Sequence, residues 1–477
     1  MNSEDRSSPS RVVVLGAGPS GLAAAHELAQ AGRSVVVLEK QSQVGGLAAT
    51  LNYGGYRFDI GGHRFFTKNA EVSSLWREML GQEFTRVRRL SRIYYRGRFF
   101  HYPLRPLSAL RGLGPLNAVA VLASYARQRI HPYPREETLE QWVSNQFGKR
   151  LYRIFFKTYT EKVWGVPCSQ ISAQWAAQRI KNLSVASLVS HMLFGFNGKA
   201  KAKSLIEWFD YPRLGPGQLY EFFQARLERL GQAVHLNSPV RRIEHDGRGR
   251  VTAAVAETPE GLRRFEASAI LSSIPINELI LQLDPPAPAP VQEAARQLRY
   301  RDFLVVNLIV ERDSVFPDHW LYIHDPNVQA ARVQNYKNWS PAMVADPRKT
   351  SLGMEYFCNR DGELWNCKDE ALIALAGREA EQLGLGQASQ VIDGFVARRE
   401  NAYCLHDTSY QPNLERVRGY LAGFSNLQTM GRAGMFKYNN QDHAIVTGLL
   451  AARNALGGNY DPWAVNVDAE YQEEERL

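Results

Sequence analysis

One short segment, KTYTEKVWGV at residues 157–166, combines a phenol, an amine and an indole within six positions. Tyr159 and Lys162 are three residues apart and so share one face of a predicted helix, and Trp164 precedes Gly165, a residue type that often ends helices. These side chains suit the binding of a sugar or a diphosphate. They suit an amphipathic helix packed on a core equally well, so the segment alone leaves both interpretations open.

A glycine-rich turn near the start of the chain predicts a phosphate-binding site. Residues 11–40 read as an apolar strand, the turn, an alanine-rich helix and a second strand that ends at Glu39. Gly16 suits the tight turn, Gly18 lets a pyrophosphate approach the backbone, and Gly21 allows close packing of the helix. Glu39 is placed to bind a ribose hydroxyl. This complete βαβ unit predicts dinucleotide binding, and both NAD and FAD use such a turn.

The composition describes a folded chain of 477 residues, 44% hydrophobic and 22% charged, which is long enough for two domains. Its 57 basic and 48 acidic residues give a formal charge of +9, which favours an anionic partner. The charges are dispersed, so we expect no nucleic-acid partner. Four cysteines without metal-ligand spacing indicate neither a redox motif nor a metal site.

Membrane and targeting signals are weak in this sequence. The first ten residues are polar and lead straight into a strand, so we expect a cytoplasmic protein without a signal peptide. No stretch provides the roughly 18 consecutive apolar residues of a transmembrane helix. Residues 116–130 predict an amphipathic helix that suits either a core or a surface anchor. Residues 86–98 alternate tyrosine and arginine and predict a β-hairpin with Gly97 in its turn.

Further segments favour FAD over NAD. Gly45 and Gly46 follow the second strand in EKQSQVGGLAAT, and this segment resembles the FAD-binding branch of the amine oxidase and protoporphyrinogen oxidase superfamily. A strand pair predicted at 233–247, a buried strand at 267–275 and a glycine turn with a helix at 430–456 agree with that resemblance. The resemblance implies bound FAD, with four further cofactor-binding residues, namely Val240, Arg432, Asn440 and Asp442.

The segment FDIGGHRFF at residues 58–66 places His63 in a Gly-Gly-His turn. This turn, the signature Tyr-Thr-x-Lys-x-Trp-Gly at 159–165 and the segment GRAGMFKYNNQDHAI near the C terminus resemble the UDP-galactopyranose mutases. The resemblance implies a nucleotide-sugar site beside the flavin, with the catalytic residues His63, Arg179, Arg301 and Arg432. The substrate-binding residues that it implies are Tyr159, Lys162, Trp164, Arg179, Arg301 and Tyr438.

The reaction implied by this resemblance interconverts the pyranose and furanose ring forms of a nucleotide-diphosphate sugar. It would proceed through an adduct between the sugar and N5 of reduced FAD, and this covalent step divides a difficult rearrangement into easier ones. NAD(P)H or another reductant would keep the flavin reduced. Arg179 and Arg301 would hold the diphosphate, since the guanidinium fork matches phosphate oxygens. A homo-oligomer is compatible with this interpretation.

Two features distinguish the chain from the mutases. Residues 329–339 offer Ala330, Ala331 and Arg332 where the mutases have a Tyr-Thr-Arg run, and residues 181–204 match no mutase segment. A sugar nucleotide other than UDP-galactose is therefore an alternative substrate. An FAD-dependent oxidase or desaturase of the protoporphyrinogen or amine oxidase type is a second interpretation. A flavin-bearing scaffold protein without turnover is a third.

The predicted fold is α/β, with a Rossmann-like FAD-binding domain and a discontinuous α+β substrate domain. We expect residues 10–75, 205–285 and 405–465 to form the FAD-binding domain. Residues 76–204 are expected to be mainly helical and residues 286–404 rich in strands, and together they would form the substrate domain.

Overall fold

A computed structural model describes residues 11–102, 104, 109, 112–173, 204, 205, 207–467, 474 and 475. Its strands, in chain order, are β1 Val12–Leu15, β2 Val35–Leu38, β3 Thr50–Tyr53, β4 Tyr56–Asp59, β5 Phe84–Arg88, β6 Ser91–Tyr95, β7 Arg98–His101, β8 Ser204–Leu205, β9 Trp208–Pro212, β10 Ala233–His235, β11 Val240–His245, β12 Val251–Thr258, β13 Gly261–Glu266, β14 Ala269–Ser272, β15 Leu283–Asp284, β16 Tyr300–Val310, β17 Trp320–Ile323, β18 Arg332–Asn335, β19 Thr350–Cys358, β20 Val391–Cys404, β21 Leu427–Thr429 and β22 Glu474–Glu475.

Helices cover the faces of the sheets that these strands form. The α-helices of the described residues are α1 Pro19–Gln30, α2 Ala70–Leu80, α3 Pro115–Ile130, α4 Leu139–Phe147, α5 Lys149–Tyr152, α6 Thr158–Trp164, α7 Gly217–Arg229, α8 Ile276–Leu281, α9 Ala289–Gln297, α10 Tyr336–Trp339, α11 Glu363–Asn366, α12 Asp369–Gln382, α13 Tyr410–Leu421 and α14 Gln441–Ala455. A π-helical turn, Arg153–Lys157, joins α5 to α6.

The first βαβ unit belongs to a parallel sheet of five strands in the order β10-β2-β1-β14-β21. Successive side chains of β1 face opposite layers. Val12 and Val14 pack in a core with the apolar faces of α1 and α14, whereas Val13 and Leu15 pack in a second core with α8 and α13. Burial on both faces explains why β1 and β2 are continuous apolar runs rather than alternating ones. This sheet gives the protein its Rossmann-like α/β fold.

A second sheet of seven strands has the order β20-β16-β19-β18-β17-β6-β7. Its long central strand β16 is also buried on both faces. Leu304, Val306 and Leu308 pack against a core that includes α12, whereas Phe303 and Val305 pack against a core that includes α4 and α6. The segment that carries Tyr159, Lys162 and Trp164 therefore lies on one face of this sheet.

The two sheets draw on different parts of the chain. The parallel sheet uses strands within 10–75, 205–285 and 405–465, and the seven-stranded sheet uses strands within 91–101 and 300–404. This arrangement supports the division into two discontinuous domains, which stays a prediction. Within 76–204, the strands β5, β6 and β7 precede the helices, so the described part of that region is not helical throughout.

Several local expectations have a clear structural outcome. The predicted hairpin is formed by β6 and β7, with positive φ at Arg96 (48°) and Gly97 (73°), as a tight hairpin turn requires. The expected strand pair at 233–247 is wrong as a pair, because β10 joins the parallel sheet and β11 pairs with β12. No helix among the described residues is long and apolar enough to cross a bilayer.

Candidate active site

The glycine turn after β1 contains Gly16, Gly18 and Gly21. Protein atoms occupy the space beside Gly16 and Gly21, whereas the space beside Gly18 is open to a ligand. Gly16 has φ +94°, and a Cβ there would lie 2.4 Å from Ser273 Oγ. A Cβ on Gly21 would lie 1.9 Å from the carbonyl oxygen of Gly16, so the helix can approach the turn only without a side chain. Gly18 caps the N terminus of α1, and no atom of the other described residues, apart from its two chain neighbours, lies within 4 Å of the Cβ position. The backbone is therefore open to a ligand at Gly18.

The glycine pair at 45 and 46 packs directly on this turn. Gly45 has φ +102° and donates its N–H to the carbonyl of Ala17, 2.8 Å away. A Cβ on Gly46 would lie 3.3 Å from the Cα of Gly18. The two glycine motifs therefore form one continuous backbone surface.

Glu39 lies at the end of β2, where the ribose-binding acid was predicted. Its carboxylate accepts the N–H of Ala17 at 2.6 Å and the N–H of Gln41 at 2.9 Å. Burial raises the pKa of Glu39, while these two donors and the nearby Arg399 act in the opposite direction. The backbone donors fix the carboxylate against the glycine turn.

A cleft of about 590 Å³ runs from this turn to the seven-stranded sheet. It is lined by residues from both sheets and from the C-terminal helix. The predicted site residues that line it are Gly16, Gly18, Glu39, Gly46, His63, Val240, Arg432, Tyr438, Asn440 and Asp442. Chain segments hundreds of residues apart therefore meet in one site.

His63 is held inside this cleft by backbone carbonyls. Its Nε2 lies 2.8 Å from the oxygen of Leu47 and 3.1 Å from the oxygen of Ile60. A carbonyl oxygen only accepts, so the ring proton is on Nε2. Burial lowers the pKa of His63 to about 4, and the positive charges of Arg432 and Arg332 act in the same direction. The imidazole is therefore neutral near pH 7.

Arg332 brings a positive charge to the cleft. It begins β18 directly opposite Glu355 on β19, and the two side chains form a short ion pair. Its Nη2 also donates to the hydroxyl of Tyr403 at 2.8 Å. Glu355 is fully buried and accepts a second hydrogen bond, 2.7 Å long, from Gln334. These contacts fix the direction of the guanidinium.

Arg432 and two tyrosines continue the wall beside Arg332. The guanidinium carbon of Arg432 lies 4.2 Å from the ring centroid of Tyr438 and 5.5 Å from that of Tyr403. Its Nε donates to the carbonyl of Asn439 at 2.9 Å. The wall therefore combines two cations with two phenols, groups that suit phosphate oxygens and sugar hydroxyls.

The segment at 158–164 packs against this wall on the side away from the cleft. Trp164 is 4% exposed, and its ring centroid lies 6.2 Å from that of Tyr403 and 6.4 Å from that of Tyr438. Tyr159 stacks on His324 with ring centroids 4.8 Å apart and an interplanar angle of 8°. Neither aromatic residue lines the cleft. The structure therefore places both in the layer that supports the site.

Lys162 is also directed away from the cleft. Its Nζ donates to the carbonyl of Asp325 at 2.5 Å and to that of Ile323 at 3.2 Å. Burial lowers the pKa of Lys162 to about 8. The amine therefore ties α6 to the chain after β17.

Arg301, predicted to bind a diphosphate, does not line the cleft. It is 8% exposed, and its Nη2 donates to the carbonyl of Phe357 at 2.9 Å. Its Nη1 donates to the side chain of Asn359, and its Nε lies 3.4 Å from the carbonyl of Val163. The guanidinium is engaged by these oxygens, so the structure gives the cleft Arg332 instead. Arg179 lies outside the described residues.

Residues at the start of α14 close the cleft. Asn440 caps the helix in a capping box with His443. Asp442 is 4% exposed and accepts a hydrogen bond of 3.0 Å from Thr67, and burial raises its pKa. Val240, at the start of β11, lines the opposite end.

Many residues that line the cleft were not predicted from the sequence, among them Arg332, Tyr403 and Arg399. Arg332 was noted only as part of a departure from a family pattern, and Tyr403 and Arg399 carried no local signal. Arg399 lines the cleft near Glu39, and its Nε is buried without a hydrogen-bond partner among the described residues.

These features fit a flavin dinucleotide. The open space at Gly18 admits a pyrophosphate, and Glu39 lies where a ribose would follow. The buried Nε of Arg399 lacks an acceptor that an anionic ligand would supply. The described residues thus offer contacts for the pyrophosphate and a ribose of FAD.

Solved structures share this fold. A reduced UDP-galactopyranose mutase superposes with a TM-score of 0.81 at 20% identity, covering 97% of this chain and 100% of the other. A structure named as a protoporphyrinogen oxidase from Exiguobacterium sp. 255-15 superposes with a TM-score of 0.70 at 18% identity, covering 94% and 100%. At these identities the likeness concerns the fold.

Sequence comparison gives the family. A protein named as a flavin-containing monoamine oxidase of Mycobacterium tuberculosis is 28% identical over 299 residues, which is 60% of this chain and 61% of that protein. The chain thus spans about three fifths of the length of these relatives. Putrescine oxidase of Kocuria rosea is 39% identical over 83 residues, 17% of each chain. The profile of the flavin-containing amine oxidoreductases matches residues 19–399, so the chain belongs to this flavoenzyme family.

Proposed function

We propose that the protein is an FAD-dependent mutase that interconverts the pyranose and furanose forms of a nucleotide-diphosphate sugar. The observation that carries this proposal is the wall formed by Arg332, Arg432, Tyr403 and Tyr438 beside His63. A cationic amine would gain little from two guanidinium groups, whereas a diphosphate is matched by them. The likeness in fold to a UDP-galactopyranose mutase supports the same reaction.

The cofactor would lie along the cleft from Val240 and Glu39, past Gly18, to His63. Reduced FAD supplies a nucleophile, which allows a sugar ring to be rearranged without net oxidation. Glu39 would accept the ribose hydroxyls, and the N–H groups around Gly18 would bind the pyrophosphate. Arg399 would donate its buried Nε to an oxygen of the cofactor.

The residues at the other end of the cleft would bind the sugar nucleotide. Arg332 and Arg432 would hold the diphosphate and stabilise the negative charge that develops as the sugar departs from it. Glu355 keeps Arg332 in one orientation, so little reorganisation is needed during the reaction. His63, neutral and held by two carbonyls, would orient a ligand by hydrogen bonding rather than supply a proton.

An oxidase is the second candidate. It is favoured by the family and by the relatives named as monoamine and putrescine oxidases. In that reaction the substrate would transfer a hydride to the flavin, and the product would be two electrons more oxidised. The two reactions therefore differ in the mass of the product and in the flavin state that is active.

Anaerobic turnover separates these candidates. Purified protein with its flavin reduced by dithionite is mixed with a panel of UDP-, GDP- and dTDP-sugars, and products are analysed by chromatography and mass. We expect an isomer of unchanged mass that forms only with reduced flavin. If no sugar nucleotide is isomerised and an amine bleaches the oxidised flavin instead, the mutase proposal is wrong.

The ion pair between Arg332 and Glu355 allows a sharper test at the residue level. In Arg332→Gln the buried carboxylate loses its partner, so both stability and turnover should fall. The double variant Arg332→Gln with Glu355→Gln removes both charges and should regain stability. Its kcat/KM for the sugar nucleotide should stay about 100-fold below wild type, the size of one charged hydrogen bond.

Glu355→Gln alone is the control, since it keeps the cation in the cleft. Unfolding by urea and kcat/KM are measured for all three variants. A double variant with the wild-type kcat/KM would remove Arg332 from the substrate site.

A further inference from the structure

Helix α3 exposes a stripe of apolar side chains. The stripe consists of Leu116, Val119, Ala123, Ala126 and Ile130, whose spacing of three and four residues places them on one face. Leu116 is 87% exposed, Val119 67% and Ile130 72%. The opposite face carries the buried Val121 and Gln128. The outward face of α3 thus exposes an apolar stripe, which packing within the protein does not explain.

A cationic groove of about 990 Å³ lies beside the stripe. Its positive side chains come from four elements: the β6–β7 hairpin, α3, α5 and the π-helical turn that follows α5. They are Arg96, Arg98, Arg127, Lys149, Arg150 and Arg153, all of them exposed. No described residue lining the groove is acidic. Arg98 donates to the carbonyl of Gly112, and Arg150 to the side chain of Asn117, so neither contact neutralises a charge.

The stripe and the groove share one helix. Six residues of α3 line the groove, namely Asn117, Ala120, Ala123, Ser124, Arg127 and Gln128, so the groove adjoins the stripe at Ala123. A surface lying against this side of the molecule would therefore meet aliphatic side chains and guanidinium groups together. An anionic bilayer offers both matching layers, since its acyl region accepts the aliphatic groups and its headgroup phosphates accept the cations.

We propose that α3 and the adjoining groove dock the protein on the surface of an anionic phospholipid bilayer. The stripe enters the boundary between headgroups and acyl chains, and the groove binds lipid phosphates. This docking requires no membrane-spanning helix. It is independent of the reaction that the flavin site performs.

Other occupants fit this surface less well. A second copy joined through the same face would bring two cationic grooves against each other, which like charges oppose. Nucleic acid or free phosphate would use the guanidinium groups but leave the aliphatic stripe in water. Of these occupants, the bilayer is the one that matches both halves of the surface.

Vesicle co-sedimentation of the flavin-loaded protein tests the proposal. The probes are vesicles of phosphatidylcholine alone and of phosphatidylcholine mixed with phosphatidylglycerol. We expect binding to the mixed vesicles only, weakening as salt rises. The triple variant Leu116→Ser, Val119→Ser and Ile130→Ser should bind at least about tenfold less. The variant Arg96→Glu with Arg153→Glu should show a similar loss.

Matched surface changes elsewhere serve as controls. Leu262→Ser alters a leucine that is 73% exposed on β13, and Arg348→Glu alters an arginine whose side chain is 87% exposed. Both should bind vesicles as the wild type does, and the flavin spectrum and melting temperature verify that every variant is folded. Vesicle binding that the triple variant retains would overturn the proposal. So would a dimer in solution that this variant dissociates, or equal binding to uncharged vesicles.

Discussion

Gly18 differs from the other glycines of the first turn because the space that its side chain would occupy is open to a ligand. The three glycines of the first turn differ in what surrounds them, although the sequence motif presents them as equivalent. Gly16 and Gly21 are pressed against Ser273 and against the turn itself, whereas the Cβ position of Gly18 is open towards the cleft. The backbone at Gly18 has φ −77°, which any residue can adopt. We therefore expect Gly18 to be required for ligand binding and Gly21 to be required for the fold.

Two alanine substitutions separate these requirements. Gly18→Ala should leave the melting temperature of the flavin-free protein unchanged, because its methyl group meets no protein atom. It should lower flavin content sharply, since the methyl group occupies the approach of the pyrophosphate. Gly21→Ala should destabilise the protein by at least about 1–3 kcal/mol, because its methyl group clashes with a backbone oxygen. Flavin absorbance per chain and thermal unfolding check both outcomes. Full flavin content in Gly18→Ala would argue against a pyrophosphate at this turn.

At the scale of elements, the side chains of α6 connect separate parts of the seven-stranded sheet. Lys162 holds the chain after β17, Trp164 supports the tyrosines of the cleft, and Tyr159 stacks on His324. Gly165 ends the helix with φ +67°, and a Cβ there would lie 2.4 Å from the guanidinium carbon of Arg301. The aromatic and cationic residues of this signature thus shape the site without lining it.

The stacking of α6 on His324 predicts a pH-dependent stability. Burial lowers the pKa of His324 to about 3, and the charge of Lys162 acts in the same direction. Between this value and the ordinary 6.5, the unfolded chain binds the proton and the folded one does not, so stability falls as pH falls. The loss is about 1.4 kcal/mol for each pH unit within that range.

Urea unfolding of the wild type and of His324→Asn, each at pH 6.5 and pH 5, measures this contribution. We expect the wild type to lose about 2 kcal/mol more than the variant over this interval. His63 and His319, whose pKa values burial also lowers to about 4, are present in both proteins and cancel in the comparison. Equal losses would mean that folding does not change the pKa of His324.

At the scale of the whole molecule, the cleft joins the two large sheets. Its lining runs from Gly16 on the parallel sheet to Arg332 and Tyr403 on the seven-stranded sheet, and on to the start of α14. A cofactor bound along the cleft would contact all three. Binding of FAD should therefore stabilise the assembled protein rather than one part of it.

Removal of the flavin should lower the melting temperature, and added FAD should restore it. FAD at 100 times its dissociation constant stabilises by about 2.7 kcal/mol if it binds only the folded chain. Scanning calorimetry of flavin-free protein titrated with FAD measures this shift. Gly18→Ala is the control and should respond weakly. A melting temperature that is independent of FAD would contradict binding in the cleft.

Local patterns in the sequence determined the dinucleotide unit, the β6–β7 hairpin and the end of α6. Each follows from residues close together in the chain, such as the glycines that permit positive φ or the apolar run of a strand buried on both faces. The choice of FAD over NAD came from a resemblance, and the family match agrees with it.

Only the tertiary structure decided which side chains reach the cleft. Arg332 is held there because the register of two strands sets it opposite Glu355, 23 residues along the chain. Arg301 and Lys162 both carry the positive charge that a phosphate site requires. Arg301 instead donates to the carbonyl of Phe357, and Lys162 donates to the carbonyl of Asp325, after β17. Residue type and spacing in the sequence indicate which groups a side chain can bind. The partner that it does bind depends on strand pairing and packing between distant segments, which no local pattern specifies.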